Sequence, residues 1–120
     1  MKYMLLTYSS PGTWERLSWR EQDQRTKEHA ALVEELFDSG EYVDGNTLTA
    51  AARARTLRSR DGTATAADGP YLDAVEHLVG YDVVDCESPG RAEAIAARLS
   101  EATQCGVEIR PIMHMKSMEM

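Results

Sequence analysis

His29 is the side chain of this sequence best suited to moving protons. It stands one turn before Val33, on a helical stripe that also carries Leu32, Leu36 and Phe37. An imidazole titrates near neutrality, so a histidine on a core-facing stripe is a candidate general acid or base. The competing explanation is a half-buried histidine satisfied by a carbonyl or a carboxylate. Asp68, in Asp68-Gly69-Pro70-Tyr71, is the candidate partner. A carboxylate beside an imidazole fixes its tautomer and stabilises the imidazolium, and it can also take polar groups of a substrate. Aspartate equally begins turns for purely local reasons. Asp38 is a poorer partner, because nine residues along one helix place it on the face opposite His29.

Around these two lie residues that could hold a substrate. Arg53, Arg55, Arg58 and Arg60 stand close together, and a guanidinium binds a carboxylate bidentately. Arg55 is the candidate ligand; Arg58 and Arg60 read instead as a charged edge that discourages sheet aggregation. Tyr8, Tyr71 and Tyr81 could line a pocket for an aromatic substrate, although aromatic residues in strands usually serve packing. Cys86 and Cys105 show neither a CxxC pair nor metal-ligand spacing, and reduced, hydrophobe-like thiols are expected. The tail Met113-His114-Met115-Lys116-Ser117-Met118-Glu119-Met120 has the thioether and imidazole groups that suit Cu(I). Extension of the last strand onto a partner subunit explains the same residues. Phosphate loop, nucleophile elbow and zinc spacing are absent from the sequence, so neither a cofactor nor a metal is expected.

Positioning these residues falls to a simple series of elements. Residues 2 to 8 are β-prone and stop at Ser9-Ser10-Pro11-Gly12. A long helix follows, from Trp14 or Ser18 to Ser39-Gly40, with Ser18 and Glu21 as a possible capping box. Residues 41 to 52 have no clear period beyond a possible strand start at Tyr42-Val43. Thr56–Arg60 and Thr63–Ala67, joined by Asp61-Gly62, predict a hairpin with a two-residue type I′ turn. That turn sets a register pairing Arg60 with Thr63, Leu57 with Ala66 and Arg55 with Asp68, the last a favourable cross-strand charge pair. Pro70 and Asp73 then suggest a short helix over 71 to 78, ended by Gly80, with His77 exposed on it. A strand over Tyr81–Cys86, a helix from Ser88-Pro89-Gly90 with Ala92, Ile95, Ala96 and Leu99 as its stripe, and a strand over Gly106–Ile112 complete the chain. The order predicts an α+β, ferredoxin-like fold: an antiparallel sheet with helices on one face.

Composition sets the outer limits. A chain of 120 residues suits one domain spanning 1–120. Its 20 acidic against 13 basic side chains, net charge -7, argue against general binding to nucleic acid or an acidic membrane. The opening Met1-Lys2-Tyr3-Met4-Leu5-Leu6 is too short and too quickly polar for a signal peptide or a membrane span. A cytoplasmic location is the expectation.

Several of these pieces, taken in order, resemble a known family. They are Met1-Lys2-Tyr3-Met4-Leu5-Leu6 with Tyr8, Arg60-Asp61-Gly62, Asp68-Gly69-Pro70-Tyr71, Glu76 with Gly80-Tyr81, and Val107-Glu108-Ile109-Arg110-Pro111-Ile112. Spread over nearly the whole chain, they are similar to the YCII-related superfamily, and within it to the branch named for an Asp-Gly-Pro-Phe motif. Tyr71 replaces that branch's usual Phe. Its Glu-Thr-Lys-Glu-Gln-Leu-Gly-Gly run appears here as Asp73-Ala74-Val75-Glu76-His77-Leu78-Val79-Gly80, without the lysine. The resemblance implies a ferredoxin-like domain that forms a homodimer through the open face of its sheet, a dimeric α+β barrel. In the wider superfamily it implies small lyase- or dehydrochlorinase-like enzymes thought to use a histidine, on the equivalent first helix, and an aspartate. Most members of the branch have no assigned activity, and some are thought to occur beside sigma factors.

Two functions therefore compete. One is a cofactor-free lyase or isomerase acting on a small anionic or phenolic substrate, with His29 as acid or base and Asp68 in support. The other is a non-catalytic dimer that binds a small molecule or protein, with a regulatory role linked to transcription. An open pocket reached by both His29 and Asp68 would favour the first, and a closed, dry setting around His29 the second.

Overall fold

Alternation along the first strand decides which side of the sheet is covered. In β1 (Lys2–Ser9) Tyr3, Leu5 and Thr7 are buried, while Lys2, Met4 and Leu6 between them face the other way. The computed structural model, which describes residues 1–114, packs both helices on the Tyr3–Leu5–Thr7 side. The first helix, α1 (Trp19–Asp38), starts with a complete capping box: Glu21 N–H donates to Ser18 Oγ at 3.2 Å, and Ser18 N–H donates to the Glu21 carboxylate at 3.0 Å. Its end is set by Gly40, whose φ of 82° favours glycine. Leu32 and Leu36 are buried, but Phe37, expected on the same stripe, is 71% exposed. It lies one residue, about 100°, beyond Leu36, which turns it off the sheet.

β2 (Tyr42–Thr47) extends the strand that the sequence only hinted at, and Ala51–Arg53 form a single 3-10 turn. β3 (Arg55–Arg60) and β4 (Thr63–Asp68) are the predicted hairpin in the predicted register, with Arg55 opposite Asp68. Asp61 and Gly62 take φ of 51° and 79°, as a type I′ turn requires. β5 (His77–Asp85), α2 (Pro89–Thr103) and β6 (Gly106–Pro111) follow.

The main sheet has the order β2-β5-β1-β6, all antiparallel. With β3–β4 set aside as an insertion, the order is βαββαβ, the ferredoxin-like arrangement. The core joins Tyr3 and Leu5 of β1 to Leu32 and Leu36 of α1 and to Ala92, Ile95, Ala96 and Leu99 of α2. The α2 stripe is the one its spacing predicts. Two bidentate ion pairs tie the layer: Arg98 to Glu35 between the helices, and Arg91 to Glu41 in the loop after α1.

One predicted element is absent. Residues 71–76 form no helix, and 77–78, expected to end that helix, instead open β5. Pairing supplies the reason: the full length of β1 needs a partner, and Leu78 and His77 lie opposite Tyr8 and Ser9 beyond a bulge at Thr7/Tyr8. His77 is thereby a half-buried strand residue. Residues 115–120, and with them most of the Met-rich tail, lie outside the described residues.

Candidate functional site

β5 carries a carboxylate into the covered side of the sheet. Asp82 stands two residues before buried Val84 and so shares its face, opposite Leu5 on β1 and Gly45 on β2. A carboxylate there must find donors. Two arrive from different elements. Tyr42 Oη donates to Asp82 Oδ1 at 2.8 Å, and His29 Nε2 lies 3.4 Å from Oδ2. The Asp82 side chain is 10% exposed and that of His29 34%.

Local backbone makes this meeting possible. The β2–β5 pairing shifts between Tyr42 and Asp44, leaving Val43 as the extra residue of a bulge. Tyr42 and Gly45 consequently both face the helices. A Cβ at Gly45 would overlap Tyr42 Oη and Asp82 Oδ1, so only glycine leaves room for the phenol to cross to the carboxylate. His29 comes from the middle of α1, one turn before the buried Leu32 and two before Leu36.

Charge and burial set the protonation of the group. The hydrogen bond to Asp82 raises the His29 pKa above its ordinary 6.5; partial burial opposes this and is the smaller effect. Burial, then the bond to Asp82, pushes the Tyr42 phenol well above its usual value, so it remains a donor at neutral pH. With Nε2–H directed at Asp82, the neutral ring has Nδ1 as its free base. Among the described residues nothing bonds Nδ1. The space beneath the ring is small, about 10 Å³, and lined by Leu5, Leu32, Leu36 and Ile95. That is room for one water at most. A substrate could reach His29 only from its exposed edge.

Of the six residues singled out from the sequence, only His29 lies here. Its carboxylate partner is Asp82, not Asp68. Asp68 sits at the root of the β3–β4 hairpin, 2.6 Å from Arg55 Nη1 and largely in solvent. The reason is the register itself, which commits Asp68 to Arg55 and the hairpin to a separate sheet. Tyr71 lies under the Arg58 guanidinium, 4.1 Å from ring centre to Cζ. Tyr8 and Tyr81 face the helix-free side of the sheet, where Tyr8 Oη donates to Glu108 at 2.9 Å and Tyr81 Oη accepts from Asn46 at 2.8 Å. The signal for Asp82 was present in Tyr81-Asp82-Val83-Val84: period two places the aspartate with Val84 on one face. Tyr42 needed the bulge, which the sequence does not announce.

The described residues hold no group of three or more His, Cys, Asp or Glu side chains arranged to bind a metal ion. Among them, no helix is long and apolar enough to cross a membrane. Residues 1–116 match the YCII-related domain. The chain is also 27% identical, over 114 residues, to an uncharacterized protein of Rhizobium meliloti (strain 1021), a match covering 93% of this chain and 92% of that one.

Proposed function

The chain belongs to the YCII-related family, and from that premise we propose that it is a cofactor-free acid–base protein of lyase or isomerase type, centred on His29 and Asp82. One observation carries this: His29 has one ring nitrogen against a buried carboxylate and the other unengaged at the surface. In that state Nδ1 can accept a proton from a small anionic or phenolic substrate, Asp82 stabilises the imidazolium, and the same nitrogen returns the proton. Tyr42 fixes the carboxylate. The helix-free face of the sheet, where half-buried Met4, Leu6 and Tyr81 stand together, supports a homodimer formed through that face.

The narrow space under His29 favours a second reading, in which the protein binds a ligand or protein without chemistry. His29, Asp82 and Tyr42 then fasten α1 to the edge of the sheet. Identification of small molecules that copurify with the protein, followed by thermal shift on wild type and His29→Ala, separates the two. For the acid–base reading, a copurified compound should raise the wild-type Tm and be turned over, with turnover lost in His29→Ala. Turnover that persists in His29→Ala removes His29 from the chemistry. Equal stabilisation of both proteins without turnover supports the binding reading.

A further inference from the structure

The hairpin β3–β4 is a built element that the rest of the molecule does not use. No residue of β4 is buried, and in β3 only Thr56 is even half-buried. The side-chain hydrogen bonds of the hairpin all stay within residues 55–71. A lone two-stranded hairpin is marginal in water, yet this one has a type I′ turn, a full ladder, an Arg55–Asp68 pair at its root and Arg58 stacked on Tyr71. It is preformed rather than slack. Around it Leu57 is 64% exposed, Leu72 67% and Val75 80%. The arm also enlarges the molecule: the radius of gyration is 16.3 Å, against about 14 Å for a compact domain of this length.

We infer that this arm is embraced by a second copy of the same chain, which covers Leu57 on one face of the ribbon and meets Arg58 and Arg60 on the other with its carboxylates. Charge selects that occupant. The chain as a whole carries a net charge of -7, but the arm has three arginines to two aspartates, and Asp68 is already held by Arg55. Arg60 takes part in no ion pair among the described residues; nor do Glu34 and Asp38, both exposed on α1. Unpaired cations on the arm and unpaired carboxylates on the body are complementary between copies, and reciprocal arms are what a two-fold dimer allows. The inference rests on the homodimer proposed above and adds the arm to it.

Sedimentation equilibrium tests it on four chains: wild type, Leu57→Asp, the double change Arg58→Glu with Arg60→Glu, and a full chain with residues 55–68 replaced by Gly-Gly. Wild type should be a dimer. Leu57→Asp and the armless chain should each weaken association at least tenfold, and the double change should weaken it and flatten its salt dependence. Far-UV circular dichroism and Tm checks folding of each monomer, which the arm does not support. A wild-type dimer that none of the three changes weakens overturns the arm's role and leaves the dimer standing. A monomeric wild type overturns both. So does a monomer whose arm instead retains an acidic polymer such as heparin.

Discussion

A histidine with one nitrogen against a carboxylate and the other turned outward has a protonation state that depends on its partner. Because Asp82 raises the His29 pKa, the pair contributes stability fully below about pH 6.5, the unfolded value. That contribution is lost as pH rises through the raised folded value. Asp82→Asn keeps the shape but removes the cause, so the NMR titration of His29 should move down toward 6.5 or below, and this arm of the pH–stability curve should flatten. Gly45→Ala tests the other side of the site. Its Cβ would strike Tyr42 Oη and Asp82 Oδ1, at a cost of about 1–3 kcal/mol typical of overpacking. Urea unfolding reads that loss, and the His29 titration should shift with it. Tyr3 behaves oppositely: its hydroxyl is buried without a partner among the described residues. Tyr3→Phe should therefore be neutral or stabilising by up to about 1 kcal/mol, since the phenol pays desolvation for no bond.

At the scale of elements, the fold was legible wherever local chemistry and tertiary pairing agree. Ser18 and Glu21 start α1 by bonds that lie within four residues, and Asp61-Gly62 fixes its hairpin's register without help from the core. The segment after Pro70 had the local marks of a helix, but β1 needed a partner along its whole length and drew His77–Gly80 into β5. Long-range pairing overrides local preference in this way because each ladder bond and buried contact outweighs a few tenths of a kcal/mol of propensity. Asp82 escaped notice for a related reason: one aspartate in an apolar strand is a site only once Tyr42 and His29 are known to reach it. The loop after α1 depends on an ion pair that can be tested. Two bonds from Arg91, with a third from Ser39, hold Glu41 at a pKa of about 2. Its contribution is present above about pH 4.5 and is lost as pH falls through 2. Arg91→Ala should thus raise the midpoint of acid unfolding, measured by circular dichroism between pH 2 and 5.

For the whole molecule, the two sides of the sheet have been given different work by one alternation. Residues facing the helices make the core and, at Asp82, the polar group that holds His29. The residues between them, half-buried Met4, Leu6 and Tyr81 around an already buried Val83, form an apolar strip bordered by Lys2, Asp44, Glu108 and Arg110. An apolar centre with a charged rim is the pattern that the proposed dimer interface requires. Because successive side chains point to opposite faces, a charge at Leu6 should reach the proposed interface without touching the site: Leu6 lies opposite Tyr81, whereas Asp82 lies opposite Leu5. Leu6→Asp should accordingly shift the protein to a monomer in sedimentation while the His29 titration stays at its raised value. If the titration falls as well, the two faces are coupled and the site needs the second copy. If the protein remains a dimer, the interface lies elsewhere.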